Sequence, residues 1–126
     1  MAEEEKILVV EDNDFVRMQI VKYLQDDGYE TVEASDGEQA LEIVRKDIAL
    51  AIVDVRMEPI GGFEFIRAIR GQRNETPVIL VTGDQNPDLL NEAGKWDVGA
   101  VLIKPVQKDR LLKMVGRILR SSKRQP

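Results

Sequence analysis

The chain contains no cysteine and no histidine. The first absence excludes a disulfide framework, a thiolate nucleophile and Cys-ligated zinc, and it fits the cytoplasm. The second excludes imidazole acid–base chemistry and His-ligated metals. A resident metal must therefore be a hard cation held by oxygen. No apolar run approaches the roughly 20 residues that span a membrane. The N-terminal "MAEEEK" lacks the basic and apolar regions of a signal peptide. A formal net charge of −5 speaks against nucleic acid as a direct partner. That charge is uneven: from Lys104 to the end the balance is +7, and the rest of the chain carries −12.

What is present is an ordinary globular composition, 43% hydrophobic and 33% charged, in 126 residues. That suits one domain over 1–126 with a core of about 6–119. Short apolar runs alternate with helical periodicity. "KILVV" (6–10), "YETVEA" (29–34), the run 48–53, "PVILVT" (77–82) and "GAVLI" (99–103) are expected strands. Between the first two, Val16, Ile20 and Leu24 mark a helix. Asn13 or Asp14 is its expected cap, and Gly28 lies past its end. Ala40, Leu41 and Val44 share a face of the next helix, with Ser35 and Asp36 as capping candidates. Phe63, Ile66, Ile69 and Arg70 have helical spacing. "NPDLLNEAGKW" predicts about two turns. Leu111, Leu112, Val115, Ile118 and Leu119 predict the inward face of a last helix, followed by a frayed basic tail at 121–126. Near-continuous apolar strands joined by short connections predict one doubly wound α/β domain with a parallel sheet.

In such a sheet, ligands bind beyond the carboxyl ends of the strands. Glu11 and Asp12 follow the first expected strand, and Asp54 ends the third. Thr82 ends the fourth, and Lys104 follows the fifth. Three acids, a hydroxyl and an ammonium would converge on one edge. Clustered carboxylates repel unless a cation sits among them. An all-oxygen cluster with room for water and a phosphate oxygen suits Mg²⁺.

The pieces "ILVVEDN", "AIVDVRM", "PVILVTG" and "LIKP", in that order, resemble the receiver domain of two-component response regulators. The resemblance runs from about Lys6 to Leu119. It implies a flavodoxin-like (βα)5 sheet of strand order 2-1-3-4-5. It implies that Asp54 is the phosphoacceptor, taking a phosphoryl group from a histidine on a sensor kinase or phosphotransfer protein. Glu11, Asp12, Asp54 and the backbone carbonyl of Arg56 would hold Mg²⁺ or Mn²⁺. Lys104 would pair with the phosphoryl oxygens, and Thr82 would hydrogen-bond the attached group. The output would be altered contact with a downstream protein, through the loop after the fourth strand and the following helix. On this reading the protein is no enzyme beyond its own phosphorylation and dephosphorylation. It would stand alone or be part of a longer chain.

Several positions depart from the family pattern. Val101 stands where a switching aromatic is usual, and Val106 replaces another aromatic. "MEPIGG" puts Gly61 where Asp is common, which predicts a looser loop. Gly83 takes the place of Ala or Ser and should open access to the site. Arg56 and Asp84 occupy the two positions that tune dephosphorylation in the family, and their charges are expected to pair across the mouth. An aspartate-nucleophile phosphatase of the haloacid dehalogenase type would need a second Asp where Arg56 stands. The remaining alternative is a degenerate receiver that binds partners without phosphorylation. Each residue also has a plain reading: acids at 11–14 as helix caps, Asp54 as a turn residue, Thr82 and Lys104 as strand ends. The stripe Lys113, Arg117, Arg120 and Arg124 reads first as a solvated helix face and second as a dock for an acidic partner. Trp96 reads as a packing anchor.

Overall fold

A computed structural model describes residues 6–44, 48–84 and 86–123. Strands and helices alternate along them. They are β1 (Lys6–Val10), α1 (Asp14–Asp26), β2 (Glu30–Ala34), α2 (Gly37–Ile43), β3 (Ile48–Asp54) and α3 (Gly62–Gly71). After these come β4 (Val78–Thr82), α4 (Pro87–Lys95), β5 (Ala100–Ile103) and α5 (Lys108–Lys123). Every strand pairing is parallel, and the sheet order is β2-β1-β3-β4-β5. The chain starts in the middle, winds out to β2, then crosses back to β3. The winding therefore reverses between β1 and β3, and it is beyond the carboxyl ends at such a reversal that open α/β sheets bind ligands.

Side chains alternate across each strand, so one apolar run feeds two cores. Ile7, Val9, Leu50, Ile52, Ile79 and Val81 pack with Ile20 and Leu24 of α1 and Leu111 and Val115 of α5. Leu8, Val10, Ala51, Val53 and Leu80 face the other way, onto Ala40, Phe65, Ile66, Ile69 and Ala93 of α2, α3 and α4. Burial of a Leu, Ile or Val side chain contributes roughly 1.5–3 kcal/mol, so the central strands are the rigid part.

Local chemistry sets the helix ends. The Asn13 side chain accepts the Val16 N–H at 3.0 Å, and Asp36 accepts the Gln39 N–H at 2.8 Å. Gly28, at φ +92°, takes the left-handed turn after α1. Asn86 caps α4, with Pro87 in its first turn. Two expectations change. In α3 the buried residues are Gly62, Phe65, Ile66 and Ile69, while Phe63 is only partly buried. Apolar residues at 63, 65, 66 and 69 allow two phases of a helix, and packing on β3 and β4 selects the second. At the other end α5 runs through Lys123, so residues 121–123 are helical and not a tail. Residues 124–126 lie outside the described residues.

The far end of α4 is tied down by one arginine. The Arg70 guanidinium donates to the Trp96 carbonyl at 3.2 Å, and to the Asn74 and Thr76 carbonyls at 3.0 and 2.9 Å. Arg67 reaches Glu92 at 3.4 Å, and the Trp96 indole N–H donates to the same carboxylate at 3.0 Å. Trp96 also packs beside the α2–α4 core, the anchoring role read from the sequence.

Candidate functional site

Register sets the first pair of acids. Val10 lies opposite Val53, so Glu11 and Asp54 follow side by side at the ends of β1 and β3. Glu11 continues its strand for one more step, its N–H donating to the Ala34 carbonyl at 3.1 Å. On the other side of Asp54 lies β4, ending in Thr82. The Lys104 N–H donates to the Thr82 carbonyl at 2.7 Å, which fixes the lysine just past β5. The side chains then converge. Lys104 Nζ is 3.2 Å from Asp54 Oδ1 and 3.3 Å from Glu11 Oε1. One carboxylate oxygen each from Glu11, Asp12 and Asp54 lie within 4.8 Å of one another.

Burial makes this cluster unusual. Glu11 is 1% exposed and Asp54 5%. Burial pushes the Glu11 carboxyl up to about 7. The Asn13 N–H, 3.1 Å away, opposes that rise; the Asp54 charge adds to it, and Lys104 opposes it. For Lys104, burial works against the charge, but Asp54 and Glu11 outweigh it and raise the ammonium above its ordinary value. Glu11 Oε1 is buried with no hydrogen-bond partner among the described residues; Lys104 approaches it at ion-pair distance without hydrogen-bond geometry. One ammonium against three carboxylates leaves negative charge uncompensated. An orphaned buried oxygen and an all-oxygen donor set fit a hard divalent cation such as Mg²⁺.

The second half of the site is exposed. The Arg56 guanidinium pairs with Asp84 at 2.9 Å, as its charge predicted. Thr82 Oγ accepts the Asp84 N–H at 3.0 Å and lies 3.4 Å from the Asp84 carbonyl, so its hydroxyl is turned into its own loop. A Cβ at Gly83 would meet nothing within 4 Å, consistent with open access. Val101 is partly buried and Val106 buried, both as core side chains. The loop expected to be loose is tied at several points. Glu64 accepts the Gly61 N–H at 2.9 Å, Met57 is buried, and Ile60 presses on Gly37, where a Cβ would stand 2.6 Å from the Ile60 carbonyl oxygen. Gly62 is required where α3 meets the site strand, since a Cβ there would lie 2.5 Å from the Asp54 carbonyl oxygen.

Sequence reasoning missed Arg17. Its guanidinium donates to the Glu11 carbonyl at 2.8 Å and pairs with Asp14 at 2.7 Å and Glu33 at 3.0 Å. A polar residue in an amphipathic helix gives no sign of such contacts. Lys113, Arg117 and Arg120 are exposed on α5; Arg124 lies outside the described residues.

Comparisons with known proteins agree with this geometry. A family model for the response regulator receiver domain matches residues 7–116. The chain is 35% identical over 116 residues to the CAI-1 autoinducer sensor kinase/phosphatase CqsS of Vibrio cholerae, covering 89% of this chain and 17% of that protein. It is 33% identical over 119 residues to the transcriptional regulatory protein CpxR of Escherichia coli, covering 93% of this chain and 50% of that one. The chain thus spans at most about half the length of these curated relatives. Among solved structures, the chemotaxis protein CheY4 of V. cholerae superposes with a TM-score of 0.84 at 33% identity, covering 90% of this chain and 98% of that one. A response regulator receiver protein of Pseudomonas putida gives 0.85 at 33% identity, with 93% and 99% covered. Among the described residues no helix is long and apolar enough to cross a membrane.

Proposed function

The chain belongs to the response regulator receiver domain family, a family of signalling modules, and from that premise we propose that it accepts a phosphoryl group on Asp54 from a phosphohistidine. The observation that carries this reading is the convergence of Glu11, Asp12 and Asp54 on one point, with Lys104 3.2 Å from Asp54. In the transfer, an Asp54 carboxylate oxygen forms a bond to phosphorus as the donor's N–P bond breaks. The electron pair leaves with the donor imidazole. Phosphoryl transfer asks a protein mainly for positioning and for offset of oxygen charge. Asp54 is positioned by a strand paired on both sides. Lys104 lies close enough to follow the transferred oxygens. Thr82 turns its hydroxyl from Asp84 to the attached group. Glu11, Asp12, Asp54 and the Arg56 carbonyl would hold Mg²⁺ or Mn²⁺, which would supply positive charge to the phosphoryl oxygens. Arg56 and Asp84 stand over the approach of hydrolytic water, beside the open position at Gly83. The donor is a sensor kinase or phosphotransfer protein, and the output is a changed contact with a downstream protein.

A second reading rests on Thr82. Its hydroxyl is already engaged by Asp84, and Val101 offers no aromatic to follow it. On that reading the domain binds partners without being phosphorylated. The test is intact mass after incubation with acetyl phosphate or phosphoramidate and Mg²⁺, with Asp54→Asn alongside. One added phosphoryl group, dependent on Mg²⁺ and absent from the variant, is expected. No addition from either donor would turn the assignment to the second reading.

A further inference from the structure

We propose that Arg17 is a positioning residue for the metal site, holding the Glu11–Asp12 turn in the shape that a divalent cation requires. The inference rests on the metal-site reading above and deepens it.

β1 ends at Val10, so the Glu11 carbonyl lies beyond the strand pairing, and Arg17 Nη1 takes it at 2.8 Å. The same guanidinium binds Asp14 in the first turn of α1 and Glu33 in β2. One planar fork thus ties three segments around the turn that carries both acids. The side chain is only 15% exposed, which favours a fixed geometry. From the inner side, Glu11 Oε2 accepts the Asn13 N–H at 3.1 Å. The turn is therefore gripped from within by Glu11 and from outside by Arg17.

The grip has work to do because the acids it carries repel. Without a cation, Glu11, Asp12 and Asp54 gain by moving apart. Mg²⁺ accepts little deviation from octahedral geometry, so a relaxed turn binds it poorly. Arg17 resists that relaxation through the backbone and leaves every carboxylate of the cluster free. A cation near a cation site would ordinarily repel the ion. Here Asp14 and Glu33, two carboxylates against one guanidinium, remove that objection. Outer partners of metal ligands typically matter about 10–100-fold in affinity.

The test is calorimetric titration of Mg²⁺ into the unsubstituted protein, Arg17→Ala, Arg17→Lys and Glu33→Ala, with melting curves for each. Affinity is expected to fall about tenfold or more in Arg17→Ala. It should fall similarly in Arg17→Lys, since one ammonium cannot hold three separated acceptors. The fall should be smaller in Glu33→Ala, which removes one anchor from the protein surface. In phosphorylation assays the half-saturating Mg²⁺ should rise in step, while the rate at saturating Mg²⁺ stays within about twofold, because Arg17 touches no reacting atom. A purely structural arginine would lower the melting temperature and leave the Mg²⁺ affinity unchanged. Should Arg17→Ala fail to fold, Arg17→Lys and Glu33→Ala decide the matter. Wild-type binding with unchanged affinity in the folded variants overturns this inference alone. No Mg²⁺ binding by the unsubstituted protein overturns the metal-site reading and this inference with it.

Discussion

Two ion-paired clusters flank the end of β3, and the one with the shorter contact is the weaker. Arg56 and Asp84 approach to 2.9 Å with side chains 79% and 40% exposed. Lys104 lies 3.2 Å from Asp54 and 3.3 Å from Glu11, and both carboxylates are buried. At about 4 Å, a unit charge pair is worth roughly 1 kcal/mol in water and roughly 4 kcal/mol at the effective dielectric of a protein site. Exposed pairs also lose to side-chain entropy and salt. The buried cluster therefore bears on folding and on chemistry together. The exposed pair is free to vary with little effect on the fold.

The strongest way to break this contrast is Lys104→Met. Removal of the ammonium leaves Glu11 and Asp54 facing each other, and breaking a buried pair costs about 3 kcal/mol or more. Urea unfolding at pH 8 without metal should show that loss. At pH 5.5 it should shrink, because Glu11 can then hold a proton. A loss no greater than that of Arg56→Ala would erase the distinction.

The pH dependence of the unsubstituted protein sharpens it. Glu11 titrates at about 7 in the fold, against an ordinary value of 4.5. The metal-free fold therefore holds a proton that the unfolded chain releases. Stability from this group is complete below about pH 4.5 and is lost as pH rises through 7, an effect on the order of 3 kcal/mol. Mg²⁺ should accordingly raise the melting temperature more at pH 8 than at pH 5.5. Equal shifts at both pH values would place the ion away from Glu11.

A smaller effect separates two glycines. Gly62→Ala puts a Cβ 2.5 Å from the Asp54 carbonyl oxygen, whereas Gly83→Ala meets open space. Chemical denaturation should give a loss of about 2 kcal/mol for the first and under about 0.5 kcal/mol for the second. Arg56→Ala and Asp84→Ala should likewise cost little stability, under about 1 kcal/mol each. Their effect should appear instead in the decay of phospho-Asp54, severalfold faster in either variant. Unchanged decay in both would remove the pair from any tuning role.

Much of this arrangement was legible before the structure. Asp54, Thr82 and Lys104 could be placed because each sits where an apolar run stops, and a parallel sheet gathers such stops on one edge. Strand order was not legible from hydrophobicity, since β1, β3 and β4 carry equivalent patterns; it followed from the resemblance. Arg17 and Glu64 were invisible for another reason. Their partners are backbone atoms and carboxylates whose position depends on how a loop closes, and neither breaks the helical period. The phase of α3 was ambiguous because Phe63 and Phe65 fit a helix equally well until the sheet chooses. The reach of α5 past Arg120 was hidden by a polar sequence that carries no apolar stripe.

The staple at Arg70 gives α4 the mechanics of a lever. One guanidinium from α3 joins the carbonyl at the end of α4 to two carbonyls of the segment before β4, and the Arg67–Glu92 pair adds a second fastening between α3 and α4. The opposite end begins at Asn86 and Pro87, two residues beyond the Asp84 that Arg56 and Thr82 hold. Nine residues at 1.5 Å each make an arm of about 13 Å. With its fulcrum at Trp96, a shift at Asp84 would swing the free end, most beside the site and not at all at the tryptophan. On the proposed function, the surface that would change is the first turn of α4, where Leu90 is already exposed to solvent.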